Sequence, residues 1–362
     1  MADRTQTPRP RRARPATMAD VAAHSQVSVA TVSRVLSGNY PVAEATRNRV
    51  LRAVTELDYV ANANARALKG DDGRLVAVLL HDVTSPFFNQ IVQGVEREAA
   101  AEGRLCMVCT TSGDPAREDA TITMLRQHQV EVLILVGGVV DSPAYRDRMG
   151  ALATNLDASG SRLVMCARPS PGVGVPATVV EYDIEGGSRA ATSYLLSLGH
   201  ERILLLGGPE GSTISKAHVA GYKRAHAAAG MRSDRKLIVP GPMDRAFGYT
   251  CLRRLIDRPG VADGFTAIMA ANDLIATGAM AALHEAGRRV PEDVSVVGFD
   301  DTWPAEDLRP TLTTVHVPHQ ELGRTAVRLA LHRHDAEAGC RQITLDTHLV
   351  VRDSTAPPAG AR

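Results

Sequence analysis

The sequence predicts two architectures in tandem: a small all-α helix-turn-helix domain, then an α/β core of doubly wound parallel sheets. Three observations carry this. Residues 17–57 hold three short stretches with apolar side chains at helical spacing, separated by cap and turn residues. From residue 75 onward, short apolar runs of the kind that form strands buried on both faces alternate with helical stretches. The charge is also divided. Residues 1–70 carry eleven Arg and Lys against five acids, a net of +6, whereas the remainder carries 30 against 35, although the whole chain is only +1.

Taken in order, residues 1–16 are rich in Pro and Arg, have no apolar core of their own and read as a disordered basic tail. They lack the apolar run of an export signal. Thr17 and Asp20 have the spacing of a capping box, which starts a helix from about Met18 to His24. Gln26-Val27 makes a tight turn. Ser28 then caps a second helix in which Val32, Val35 and Leu36 point inward. Its other face, Val29, Ala30, Ser33 and Arg34, is slim and polar enough to approach base edges in a major groove, where Arg pairs bidentately with guanine. Gly38 stops the helix, and Ala43 to Leu57 gives a third whose stripe is Val50, Ala53, Val54 and Leu57. Asn62 to Leu68, NANARAL, has good helix formers, but a helix that short is unstable alone because nucleation is unfavourable.

After Asp71-Asp72-Gly73 the pattern changes. Strands are expected at LVAVLL (75–80), RLCMVC (104–109), VEVLILV (130–136), RLVMCA (162–167), TVVEY, RILLLGG (202–208), KLIV (236–239), TAIMA (266–270) and SVVGFD (295–300). Helices are expected from about Phe88 to Glu102, to Gln127, Gly186 to Leu198, Ala217 to Ala229, Phe247 to Asp257 and to Glu285. This many strands fits two subdomains better than one. In such sheets ligands sit beyond the carboxyl ends of strands, so His81, Asp82, Arg168, Asp183, Asn272 and Asp300 are the candidate ligand contacts, with Asp301 read as a cap or turn residue. Arg168 and Asp183 are balanced between ligand contact and a cross-cleft ion pair, and His81 between contact and packing. Polar side chains converging in an apolar cleft suit a polyhydroxylated ligand.

The runs TMADVAAHSQVSVATVSRVLSG and ARAL resemble the lactose-repressor (LacI/GalR) family of bacterial transcription regulators. DVTSPFFNQIVQGVE, AGYKRAHAAAGM, ANDLIATGAMAAL, VPEDVSVVGFDDT and PTLTTVHVP extend the likeness to about Val351. The resemblance implies a dimeric, ligand-responsive regulator, most often a repressor, on a near-palindromic operator. It implies base contact by Arg34, phosphate contacts by Thr17, Ser28, Thr31 and Ser33, and a hinge helix (Asn62, Ala65) that orders on operator DNA and wedges Leu68 into the minor groove. It also implies a periplasmic-binding-protein-like core with crossings near Val173, Val317 and Thr344, and an effector, a sugar or similar small polar molecule, touching Asn272 and Asp300. The expected domains are thus 1–16 tail, 17–60 DNA-binding, 61–73 hinge and linker, 74–352 core and 353–362 flexible tail. His218, also a candidate effector contact, departs from the pattern. The family usually has Arg there to grip the effector, and imidazole cannot make that bidentate grip. Ala43 replaces a common Ser cap and Ala61 a common Pro, which should loosen the start of the third helix and the hinge entry.

Other classes are less well supported. Five Cys suggest no disulfide framework, and the CxxC of Cys106 and Cys109 lies in an apolar run without a second metal-binding pair, so buried thiols are expected in place of zinc or redox chemistry. No cofactor or metal is expected. Gly207-Gly208-Pro209-Glu210-Gly211 lacks phosphate-loop spacing, no catalytic set appears, and an enzyme is not expected. No stretch approaches the roughly 18 apolar residues of a membrane span. A solute-binding protein of a transporter shares the core fold, but the basic helical module and absent export signal oppose it. An activator or a ligand-independent binder remains a second form of regulation. A cytoplasmic site is expected, and residues 353–362 carry no leucine heptad to drive a tetramer.

Overall fold

The structure, a computed structural model, describes residues 14, 16–37, 40–59, 75–257, 264–332 and 340–359. The hinge segment with Asn62, Ala65 and Leu68, the linker 71–73, Ala61 and Gly38 lie outside these residues. The chain divides into one unit ending at Asp72 and a second from Gly73.

In the first unit, α1 (Met18–Ser25), α2 (Val29–Ser37) and α3 (Glu44–Glu56) close over a core of Val21, Ala22, Val32, Val35, Val50 and Ala53. Gln26 ends α1 in the left-handed conformation, and α3 starts at Ala43 without a side-chain cap. The exposed His24 Nε2 and Glu56 Oε2, 2.7 Å apart, join α1 to α3.

The second unit is built on two parallel sheets. The first has the order β2-β1-β3-β4-β5-β11: β1 (Leu75–Leu80), β2 (Leu105–Thr110), β3 (Val132–Val136), β4 (Arg162–Cys166), β5 (Ala177–Tyr182) and β11 (Arg341–Leu345). Its crossovers are α4 (Pro86–Ala101), α5 (Pro115–Gln127) and α6 (Pro143–Ala158). The apolar runs β1 and β3 are buried on both faces, as parallel strands covered by helices must be. The second sheet has the order β7-β6-β8-β9: β6 (Ile203–Leu206), β7 (Ile238–Val239), β8 (Ala267–Ala270) and β9 (Ser295–Val297). It is covered by α7 (Ile184–Ser197), α8 (Thr213–Ala228), α9 (Arg245–Ile256) and α10 (Asp273–Glu285). A short α11 (Pro304–Asp307) follows, then β10 (Thr314–His316), α12 (His319–Leu331) and β12 (His348–Val350), with β10 and β12 antiparallel.

Helices pair closely where glycines meet backbone. A Cβ on Gly94 of α4 would overlap the Gln320 carbonyl of α12, and one on Gly323 the Ile91 carbonyl. Gly248 and Gly278 do the same between α9 and α10.

Three expectations need correction. The first crossing comes at 182–184, not near Val173, because β5 pairs in parallel with β4 and extends the first sheet before the chain leaves it. The others fall at 316–319 and 345–348. Residues 353–356 are not a loose tail. Ser354 is buried and exchanges hydrogen bonds with Val296, while the Ala356 carbonyl accepts from the Ser295 hydroxyl, because the β9 edge leaves backbone groups that must be paired. The Cys106 and Cys109 thiols are only half buried, since β2 is an edge strand with Leu105 76% exposed. Burial still raises Cys106 to about 11 and pushes Cys109 upward, so both thiols stay protonated and inert at neutral pH.

Candidate DNA-reading helix and ligand cleft

In the first unit the capping box forms at α1. Thr17 Oγ1 accepts from Asp20 N, and Asp20 Oδ2 accepts from Thr17 N at 2.7 Å and from Thr17 Oγ1 at 2.6 Å. Those bonds from Thr17 hold the Asp20 carboxyl below its ordinary range. The Thr17 hydroxyl is therefore already engaged in capping. At α2, Ser28 Oγ accepts from Thr31 N at 3.1 Å and lies 2.9 Å from the Thr31 hydroxyl, so these two hydroxyls pair with each other at the helix start. Val32 and Val35 are buried, while Val29, Ala30 and Arg34 are exposed and Ser33 is half-buried. The Arg34 guanidinium carbon stands 5.8 Å from the centroid of the exposed Tyr40 ring, a cation–π contact. The sequence reading missed Tyr40, whose signal was an aromatic just past the end of an otherwise small, polar helix.

In the second unit the candidate contacts separate into two groups. One group is structural. His81 is exposed, with its ring against the backbone of Gly113. Burial opposes charge on Asp82, but Thr84 N, Thr84 Oγ1 and Ser85 N all donate to its Oδ1 and leave its carboxyl below the usual range. Asp183 is exposed and caps α7 through Gly186 N at 2.7 Å, with no cross-cleft ion pair among the described residues. Arg168 is buried and donates from Nη2 to Glu118 Oε2 at 2.8 Å, so its ion pair lies within its own subdomain and not across the cleft. Its Nε and Nη1 have no hydrogen-bond partner among the described residues. Asn272 caps α10 through Oδ1 to Ile275 N at 2.8 Å and donates from Nδ2 to the Met243 carbonyl at 3.0 Å, leaving one amide hydrogen uncommitted.

The other group converges. Asp300 is 6% exposed and has φ +105°, a conformation a non-glycine residue holds only when its surroundings impose it. Here the Asp300 N–H donates to the Val315 carbonyl and the Val317 N–H to the Asp300 carbonyl. Its Oδ1 lies 3.9 Å from His319 Nε2, which is buried without a hydrogen-bond partner among the described residues. Aromatic rings surround this pair: Phe87 edge-on to His319 at 5.0 Å, then Tyr182, then Phe299 edge-on to His218 at 4.8 Å. His218 Nδ1 is 2.7 Å from the Ser188 hydroxyl. Burial lowers both His218 and His319 to about 3, so both imidazoles are neutral at pH 7. Burial pushes Asp300 well up. It also raises Asp273, with help from the neighbouring Asp300 and against three hydrogen bonds from Thr302 and Thr314, to about 8. Asp301 is a turn residue, φ +55°, whose carboxylate meets Arg352 at 2.8 Å and His316 at 3.0 Å.

At the edge of the cleft the halves touch. Thr213 N donates to the Val139 carbonyl at 2.9 Å, Val139 N donates to Thr213 Oγ1 at 3.3 Å, and the Ile214 side chain covers Gly138. His319, Tyr182 and Phe299 escaped the sequence reading because it placed no helix over 319–331 and searched polar residues after strands.

The comparisons agree with this layout. Residues 17–62 match the family model described as bacterial regulatory proteins, lacI family, and residues 192–355 match a periplasmic binding protein-like domain. The HTH-type transcriptional regulator CelR of Thermobifida fusca is 36% identical over 353 residues, 95% of this chain and 99% of that protein. The solved transcriptional regulator CelR-cellobiose complex aligns with a TM-score of 0.68 at 33% identity, over 94% of this chain and 99% of that one. The Lac repressor dimer bound to operator and the anti-inducer ONPF aligns with a TM-score of 0.80 at 28% identity, over 95% and 100%.

Proposed function

The chain belongs to the lacI family of bacterial regulatory proteins, and from that premise we propose how its own residues bind DNA and sense a ligand. It is a DNA-binding transcription regulator and not an enzyme. That rules out the transporter solute-binding alternative.

The reading helix is α2. Its exposed Arg34, held beside Tyr40, meets a base edge, while Val29, Ala30 and Ser33 keep the surface slim enough for close approach. Ser28 and Thr31 at the helix start contact phosphate, and Thr17 does so only by giving up its bond to Asp20. The hinge contacts of Asn62, Ala65 and Leu68 remain part of this proposal on the family likeness alone. The protein acts as a repressor in the cytoplasm, on a near-palindromic operator read by a homodimer. The exposed β2 edge, with Leu105 at 76%, Met107 and Val108 near 40%, and Met124 on α5, is the apolar surface a second copy would cover in the first subdomain.

The ligand is an uncharged sugar. The carrying observation is the buried, backbone-strained Asp300 beside the neutral His319 imidazole, with a run of aromatic rings leading on to a second neutral imidazole, His218, and with the Arg168 cation already paired to Glu118. Hydroxyls find donors and acceptors there, whereas a phosphate or carboxylate would meet acidic groups. CelR, solved with cellobiose, supports a saccharide.

Two measurements test this. A thermal-shift panel of neutral sugars, sugar phosphates and small acids should give shifts for sugars that vanish in Asp300→Ala; a shift from phosphates alone would overturn the ligand class. Binding to an operator selected from random sequence should weaken by roughly 10- to 100-fold in Arg34→Ala, with relaxed base preference at one position. Unchanged preference would remove Arg34 from the base-reading role.

A further inference from the structure

The chain has a single tryptophan, Trp303, and it is 65% exposed. Nothing in the core accounts for it. It sits just beyond β9, at the carboxyl end of the second sheet, three residues after Asp300. Three extended residues span about 10 Å at most, so the indole begins within the length of a two-ring saccharide from the Asp300 backbone.

Its mounting is rigid. The preceding residue, Thr302, donates from its N–H at 2.7 Å and its hydroxyl at 3.0 Å to Asp273 Oδ2, and Asp273 is buried. Ala305 N donates to the Thr302 carbonyl at 2.8 Å, and Pro304 opens α11. A large flat ring held in water on a fixed loop is a preformed platform, losing little freedom when something lies on it.

The first sheet supplies apolar side chains at the corresponding ends of its strands. Val83, just after β1, is 50% exposed, and Val140, just after β3, is 62% exposed. Val140 adjoins Val139, which hydrogen-bonds Thr213 between the two subdomains. Exposed apolar side chains thus stand just past strand ends in both sheets, on the side where ligands of such sheets bind.

We propose that Trp303 forms a second sugar subsite at the rim, stacking the outer ring of a neutral disaccharide whose inner ring is held at Asp300. This rests on the reading of the cleft as a saccharide site. A sugar ring has an apolar C–H face and a polar edge, which suits an indole face with its N–H free to donate.

The sole tryptophan makes the test direct. The full chain is titrated with cellobiose, lactose and maltose beside glucose and galactose, following tryptophan emission and, independently, thermal stability. The expected result is an emission change with a disaccharide that stabilises the protein. Trp303→Ala should then weaken that disaccharide about tenfold by calorimetry, Trp303→Phe should retain most of the affinity, and neither should alter binding of a monosaccharide. Stabilisation by a disaccharide with unmoved emission and equal affinity in Trp303→Ala would overturn the subsite while leaving the saccharide cleft standing. Stabilisation by monosaccharides alone would do the same. No stabilisation by any of the five sugars would overturn both.

Discussion

At the scale of single residues, burial sets the protonation state of the cleft, and this gives a pH signature. His218 and His319 titrate near 3 in the folded chain because burial disfavours their charged form, and near the ordinary value of about 6.5 when unfolded. The unfolded chain then binds more protons between those values. The histidines' contribution to stability is complete above about 6.5 and falls as pH drops toward 3, by up to about 1.4 kcal/mol per pH unit for each. Asp273 has the opposite sign. Raised to about 8 by burial and by Asp300, it contributes stability below the ordinary carboxyl range that is lost as pH rises through 8. The two signs offset each other in the wild type between about pH 4 and 6.5, so the signature is read by difference: His218→Asn should be less stable than wild type at neutral pH, because the Ser188 hydroxyl loses its partner, and that deficit should shrink as pH falls from about 6.5 toward 3. A deficit independent of pH would mean that His218 is reached by solvent. The sequence marked His218 as the departure from family pattern and named Asp300. It could not show that Arg168 turns to Glu118 or that the Asn272 amide also donates to the Met243 carbonyl, because those depend on partners 50 and 29 residues away.

At the scale of elements, most strands and the helices α1 to α5, α7, α9 and α10 were legible within two or three residues, because apolar runs and caps are local signals. The exceptions have physical reasons. α6, with Tyr145, Met149, Leu152, Ala153 and Leu156 buried on one side, is amphipathic only weakly against its polar face, and α12 follows a proline with no capping side chain. β11 is mostly exposed and owes its strand form to pairing with β5. Glycine carries a signal that periodicity does not: Gly94 and Gly323 let α4 and α12 approach backbone to backbone. Gly94→Ala places a methyl group where the Gln320 carbonyl already stands, and should destabilise the second unit by about 2 to 3 kcal/mol or more, read as a lower urea midpoint. Wild-type stability would show that the helices can part without loss.

At the scale of the molecule, division of the chain into a basic helical module and an α/β core was readable from charge and periodicity, whereas the position of the first crossing was not. It depends on which sheet β5 joins, a long-range choice. The exposed β2 edge leads to a prediction about assembly. Leu105→Asp should shift the dimer toward monomer in sedimentation, and should lower operator affinity more steeply at low protein concentration than at high. A dimer of unchanged strength would place the partner elsewhere. The passages between the two sheets are also fastened to one another. Asp183 N–H donates to the Leu345 carbonyl, and the Thr347 hydroxyl, 164 residues on, donates to the Asp183 carbonyl. Two of the three connectors therefore turn on one pin. Sliding of one half past the other would tear those bonds, so the freedom left is a swing about a single line, and a tilt imposed at one connector is carried by its neighbour.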